Sequence, residues 1–115
     1  MPTQTYEDQT DRIRHLNDAF RRQGSVAGKF MMTAGVASLP LGDQAAIMRK
    51  VMSFNAFTPE NDPYGEHDFG AFEHNRRNLF WKIDYYSLDM VGGSENPADP
   101  AQTVRVLTIM FADEY

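Results

Sequence analysis

Residues 68–86, DFGAFEHNRRNLFWKIDYY, decide the fold class of this chain. Aromatic and β-branched residues, which suit a pleated and half-buried surface, flank a polar NRRN segment at 75–78. The spacing predicts a hairpin with one strand over 68–73, a turn at 75–78 and a long strand over 78–86. Side chains alternate along an extended strand, so Phe80, Lys82, Asp84 and Tyr86 share one face while Trp81, Ile83 and Tyr85 share the other. Only the first face is polar. Lys82 and Asp84 there form either an ion-pair network within the sheet or the floor of a ligand cleft, with Arg105 as a candidate partner for Asp84. Trp81 is assigned to the core, and Tyr86 fits core or groove equally.

On the N-terminal side, Ile13, Leu16 and Phe20 form an apolar stripe that predicts a helix over 10–23, with Thr10 as its N-cap and Gly24 as its stop. Residues 29–33 (KFMMT) suit a short strand. A second helix over 41–55 buries Ile47, Val51 and Phe54, with Met48 and Met52 as core filler and Asp43 in the favoured first turn. Pro59, Pro63 and Gly65 make 56–66 a loop, anchored by Phe57 and Tyr64. After a long connection over 87–102, where Asp99 can cap a helical turn that starts at Pro100, residues 104–111 read as a central strand, with Val104, Val106 and Thr108 β-branched and the alternate Leu107, Ile109 and Phe111 apolar. The result is an α+β fold, two helices on one face of a mostly antiparallel sheet of about four strands, with the hairpin and the last strand at its centre. Residues 1–115 are expected to form a single globular domain, with 1–9 a frayed tail.

The 115 residues, 42% of them hydrophobic, suffice for one core without disulfides or a structural metal. The absence of cysteine excludes thiolate nucleophiles, zinc ribbons and redox switching. The polar start and the lack of a long apolar run predict a soluble, cytoplasmic protein with no membrane partner. The net charge of -5 divides into +2 over residues 1–57 and -7 over 58–115. That balance disfavours nucleic acid as a partner, because only Arg12, Arg14, Arg21 and Arg22 approach the clustered cations that phosphates require.

Asp62, Glu66, His67 and Asp68 supply oxygen and nitrogen groups that could hold a divalent cation or do acid–base work, although their spacing matches neither the calcium loop nor a zinc-protease helix. In the structural alternative, Asp62 bonds backbone amides of its own loop, and a carboxylate or carbonyl satisfies His67. His74 is expected to be exposed beside the hairpin turn, and His15 carries no functional argument. Ser25, Ser38, Ser53, Ser87 and Ser94 lie in no nucleophile motif. No cofactor-binding signature is present, and none is expected to be bound.

The stretches NDPYGEHDFGAF (61–72), FWKIDYY (80–86), PADP (97–100) and RVLTIM (105–110), with the terminal Glu114–Tyr115 pair, resemble a family of small, often plasmid-borne bacterial proteins catalogued as a domain of unknown function. The resemblance spans about residues 12–115 and implies a stand-alone cytoplasmic accessory protein without transferring a mechanism. Ser87 stands where the resemblance would place an acidic residue, so no metal ligand is assigned there.

The leading expectation is a non-enzymatic interaction or regulatory module that binds a protein or small ligand through the 61–86 loop and hairpin, using Asp62, Tyr64, Glu66, His67, Asp68, Lys82, Asp84, Tyr86 and Arg105. The alternative is a metal-dependent hydrolase of the nuclease or phosphoesterase kind, built on Asp62, Glu66, His67 and Asp68 with Lys82 as electrostatic stabiliser. In a third reading the acidic half mimics nucleic acid, against which Arg76, Arg77, Lys82 and Arg105 interrupt the anionic surface.

Overall fold

Asp8 caps the first helix in a computed structural model that describes residues 8–115. Its carboxylate accepts the Asp11 N–H at 3.0 Å, so the cap lies two residues before the one expected at Thr10. Gln9 is therefore helical; the rest of the expected tail, 1–7, lies outside the described residues. Helix α1 (Gln9–Gln23) stops at Gly24, whose φ of 65° is left-handed and whose N–H closes on the Phe20 carbonyl at 3.0 Å.

The chain continues through β1 (Gly28–Met32), α2 (Ala34–Ala37), α3 (Leu41–Ser53), β2 (Phe69–His74), β3 (Arg77–Tyr86) and β4 (Val104–Phe111). The described residues therefore hold three α-helices where two were expected, because α2 is a single turn, too short for apolar periodicity to reveal. The turn at Asp99–Pro100 is realised as a 3₁₀ segment, Pro100–Gln102, and Asp99 accepts the Ala101 N–H at 2.9 Å.

The sheet order is β1-β4-β3-β2, with β1 parallel to β4 and the other pairs antiparallel. This is the α+β class read from the sequence. The hairpin does not sit wholly at the centre, since β2 is an edge strand and β4 and β3 are the inner pair. Asn75 and Arg76 turn the hairpin with φ of 51° and 65°, the two successive positive values of a type I′ turn.

Phe20, Ile47, Val51 and Phe54 from the helices pack against Leu79, Trp81, Ile83, Leu107 and Ile109 on one face of the sheet. Burying these side chains supplies the main stabilisation of the fold. Gly70 lies opposite Trp81, and a Cβ there would meet the indole nitrogen at 2.2 Å, so the edge strand needs glycine to let the ring into the core. Met48 packs on this core, whereas Met52, one turn further along α3, is 38% exposed and is not core filler. Among the described residues no helix is long and apolar enough to cross a membrane.

The other face of the sheet carries Phe69, Phe80, Lys82, Asp84 and Tyr86, with Val106, Thr108 and Met110 aligned across β4. Val106 and Met110 are buried there, and the ring of Phe80 lies 5.1 Å from Phe69 and 5.7 Å from Tyr115.

Candidate functional site

On the helix side, the stripe of α1 contains two polar residues, Asn17 and Arg21, at i+4 and i+8 from Ile13, and both are fully buried. Arg21 reaches the end of α3 and donates through one amino nitrogen to the carbonyls of Val51 at 2.8 Å, Met52 at 3.3 Å and Phe54 at 2.9 Å. Those carbonyls lie at the C-terminus of a helix, where the main chain offers few donors; the Phe54 N–H reaches Val51 at 3.3 Å. The other amino nitrogen pairs with Asp18 at 3.1 Å, and the guanidinium lies 4.9 Å from the Trp81 ring. Desolvation lowers the Arg21 pKa, partly offset by Asp18.

Asp18 then meets His67, whose Nδ1 lies 3.0 Å from both carboxylate oxygens. His67 has a left-handed φ of 54°, its N–H donates to Asp62 Oδ1 at 3.2 Å, and its Nε2 lies 3.7 Å from Asp62 Oδ2. Phe57 stacks on the imidazole at 3.7 Å between centroids. With carboxylates facing both ring nitrogens, His67 clamps the 55–68 loop onto α1. This is not the geometry of a base that activates a hydroxyl, which needs one nitrogen facing its substrate.

Deeper still, Asn17 links three elements. Its Nδ2 donates to the Glu66 carbonyl at 2.9 Å and the Tyr85 hydroxyl at 2.8 Å, while its Oδ1 accepts from Arg105 Nε at 2.7 Å. Tyr85 in turn donates to Glu66 Oε1 at 2.7 Å, and burial raises the phenol's pKa, which keeps it protonated. Arg105 is fully buried and donates to the Pro97 carbonyl at 2.6 Å; desolvation lowers its pKa, and one of its amino groups has no hydrogen-bond partner among the described residues. Asp68 begins the strand region nearby; burial, then the adjacent Glu66 charge, pushes its carboxyl up to about 6.

The proposed partnership of Arg105 with Asp84 is therefore wrong. Arg105 pairs in register with Tyr85 and faces the helices, whereas Asp84 pairs with Val106 and faces the opposite way. Asp84 instead binds Lys82 at 2.9 Å, the two side chains being 40% and 36% exposed, and this bond raises the Lys82 pKa.

The sequence-selected residues thus separate into three places. Asp62, Tyr64 and His67 line a shallow cleft of about 490 Å³ with Arg14. Glu66 and Arg105 belong to the buried string, and Asp68 lies half-buried beside it. Lys82, Asp84 and Tyr86 occupy the helix-free face of the sheet. Among the described residues, no three acidic or histidine side chains are gathered as metal ligands, so Asp62, Glu66, His67 and Asp68 do not converge. Tyr64 is 79% exposed and anchors nothing in the core; Phe57 alone does. His74 is half-buried rather than exposed, because Asp43 on α3 meets its Nε2 at 3.0 Å and Lys50 its Nδ1 at 3.1 Å.

The four arginines of α1 do not form a patch either. Arg21 is internal, Arg12 donates to the Ala98 carbonyl at 2.7 Å, and Arg14 holds the Gly65 carbonyl and Asp11. Sequence reasoning missed Asn17, Asp18, Arg21 and Tyr85 as site residues. The signal for Asn17 and Arg21 was their place on the apolar stripe; Tyr85 was already on the core face of its strand.

Residues 32–114 match the family described as "Protein of unknown function (DUF3768)", leaving α1 and most of β1 outside the matched segment. No curated protein and no solved structure matches the chain significantly.

Proposed function

The chain belongs to that family, and from this premise we propose that it is a protein-binding module whose contact surface is the helix-free face of the sheet, centred on β3. The observation that carries this reading is the Lys82–Asp84 pair, more than a third exposed, set among the rings of Phe69, Phe80 and Tyr115. Rings at the centre of a surface supply contact area, and a charge pair among them orients a partner of complementary charge. The partner is a protein rather than nucleic acid, since the half of the chain that supplies β3 carries -7. The surface lies within the loop and hairpin at 61–86, but it uses the strand and not the loop carboxylates, because Glu66 is bonded to Tyr85 and His67 to Asp18.

Affinity capture with the purified chain as bait tests this, using Lys82→Glu and Asp84→Lys beside the exposed-loop control Glu60→Lys. The expected result is one stoichiometric protein, weakened about tenfold or more by each β3 reversal and retained by the control. Equal capture by the wild type and both β3 variants would refute the assignment of this face.

A further inference from the structure

Edge strands present unpaired main-chain donors and acceptors, and proteins commonly blunt them with proline, bulges or charge. β1 pairs with β4 on one side only, and its sequence GKFMM has Lys29 as its single such device. Ala27 accepts from Arg105 at 3.3 Å and Thr33 donates to Ile109 at 3.0 Å, so the odd-numbered residues address β4. The N–H and C=O groups of Gly28, Phe30 and Met32 consequently point out from the sheet, and no turn, loop or cap bond among the described residues takes them up.

Beside this edge lies a groove of about 290 Å³ lined by Gln23, Gly24, Phe30, Met48 and Met52, with Arg21. Phe30 and Met52 are 36% and 38% exposed. Arg22 in the last turn of α1 is exposed, Lys29 is exposed on the opposite face of the same strand from Phe30, and residues 1–57 as a whole carry +2. Free main-chain groups, an adjacent apolar groove and positive charge together define what fits.

We propose that β1 receives an extended segment of an acidic partner protein as an added strand, its main chain bonded to Gly28, Phe30 and Met32 and one apolar side chain seated in the groove. A second copy on this edge would set Lys29 and Arg22 against their own kind, so charge complementarity selects an acidic segment instead. The outer edge of β1 is separated from β3 by β4, so either proposal can fail without the other, although Lys29 projects to the helix-free face.

Backbone amide exchange followed by NMR tests the proposal on the whole chain. In the free protein, Gly28, Phe30 and Met32 should exchange fast and Lys29 and Met31 slowly. A synthetic strand of about ten residues, alternating valine and threonine between glutamate ends, should slow the first three about tenfold or more, and its lysine-ended counterpart should bind about tenfold more weakly. Phe30→Pro removes one outward N–H and no bond to β4, so it should abolish protection at Gly28 and Met32, with its melting temperature reporting folding. Should that variant unfold, the double variant Arg22→Glu with Lys29→Glu replaces it and should reverse the preference between the two peptides. Slow exchange of Gly28, Phe30 and Met32 in the dilute free chain, a dimer by sedimentation, no protection by the glutamate-ended peptide, or equal binding of both peptides would each overturn the proposal.

Discussion

Arg21 joins the first helix to the third by a side chain that solvent never reaches. A cation at a helix C-terminus meets the negative end of the macrodipole, and here it also satisfies carbonyls that are buried. Arg21→Ala should lower unfolding free energy by about 3 kcal/mol in urea titration, and Arg21→Lys should recover little, because an ammonium cannot span the α3 carbonyls and Asp18 together. Asp68 gives a pH effect of definite sign. Its folded pKa, about 6, lies above the unfolded 3.8, so its favourable contribution is complete below about pH 4 and is lost as pH rises through about 6. Asp68→Asn should therefore be more stable than the wild type above that range, by on the order of 1 kcal/mol, and the difference should shrink in acid when melting is followed from about pH 4 to 8. Neither role was legible from residue type alone. Arginine and aspartate are usually exposed; the position of Arg21 on an apolar stripe gave a sign of burial, and Asp68 had no such sign.

At the scale of elements, local rules went furthest. The stripe Ile13–Leu16–Phe20, the Gly24 stop and the β-branched run at 104–111 each corresponded to an element within a few residues of its expected bounds. The hairpin turn is the exception in quality: Arg76 holds φ 65° without the freedom of glycine. Arg76→Gly should relieve that strain and raise stability by about 0.5–1 kcal/mol, visible as a higher melting temperature with unchanged far-UV circular dichroism. What local rules could not supply was partnership between elements. The carboxylate that binds His67 comes from α1, forty-nine residues earlier, and the residue that faces Arg105 is fixed by strand register, which two apolar-alternating strands leave open until both are packed.

For the whole molecule, the sheet divides into a covered face and a helix-free face, and under the proposed function the first carries stability and the second recognition. Removing the exposed pair by the double change Lys82→Ala with Asp84→Ala should alter unfolding free energy by no more than about 0.5 kcal/mol, whereas partner capture should fall. A large loss of stability in that variant would mean that the pair holds the sheet together. The sequence by itself determined the α+β class, the hairpin, both long helices and the face that each residue of β3 presents, because periodicity and turn chemistry act over a few neighbouring residues. Only the tertiary structure decided that the loop carboxylates part company, that Arg21 and Arg105 turn inward and that Lys82 and Asp84 stay at the surface. Burial of a charged group depends on acceptors brought from distant points of the chain, and no local pattern records where those will be.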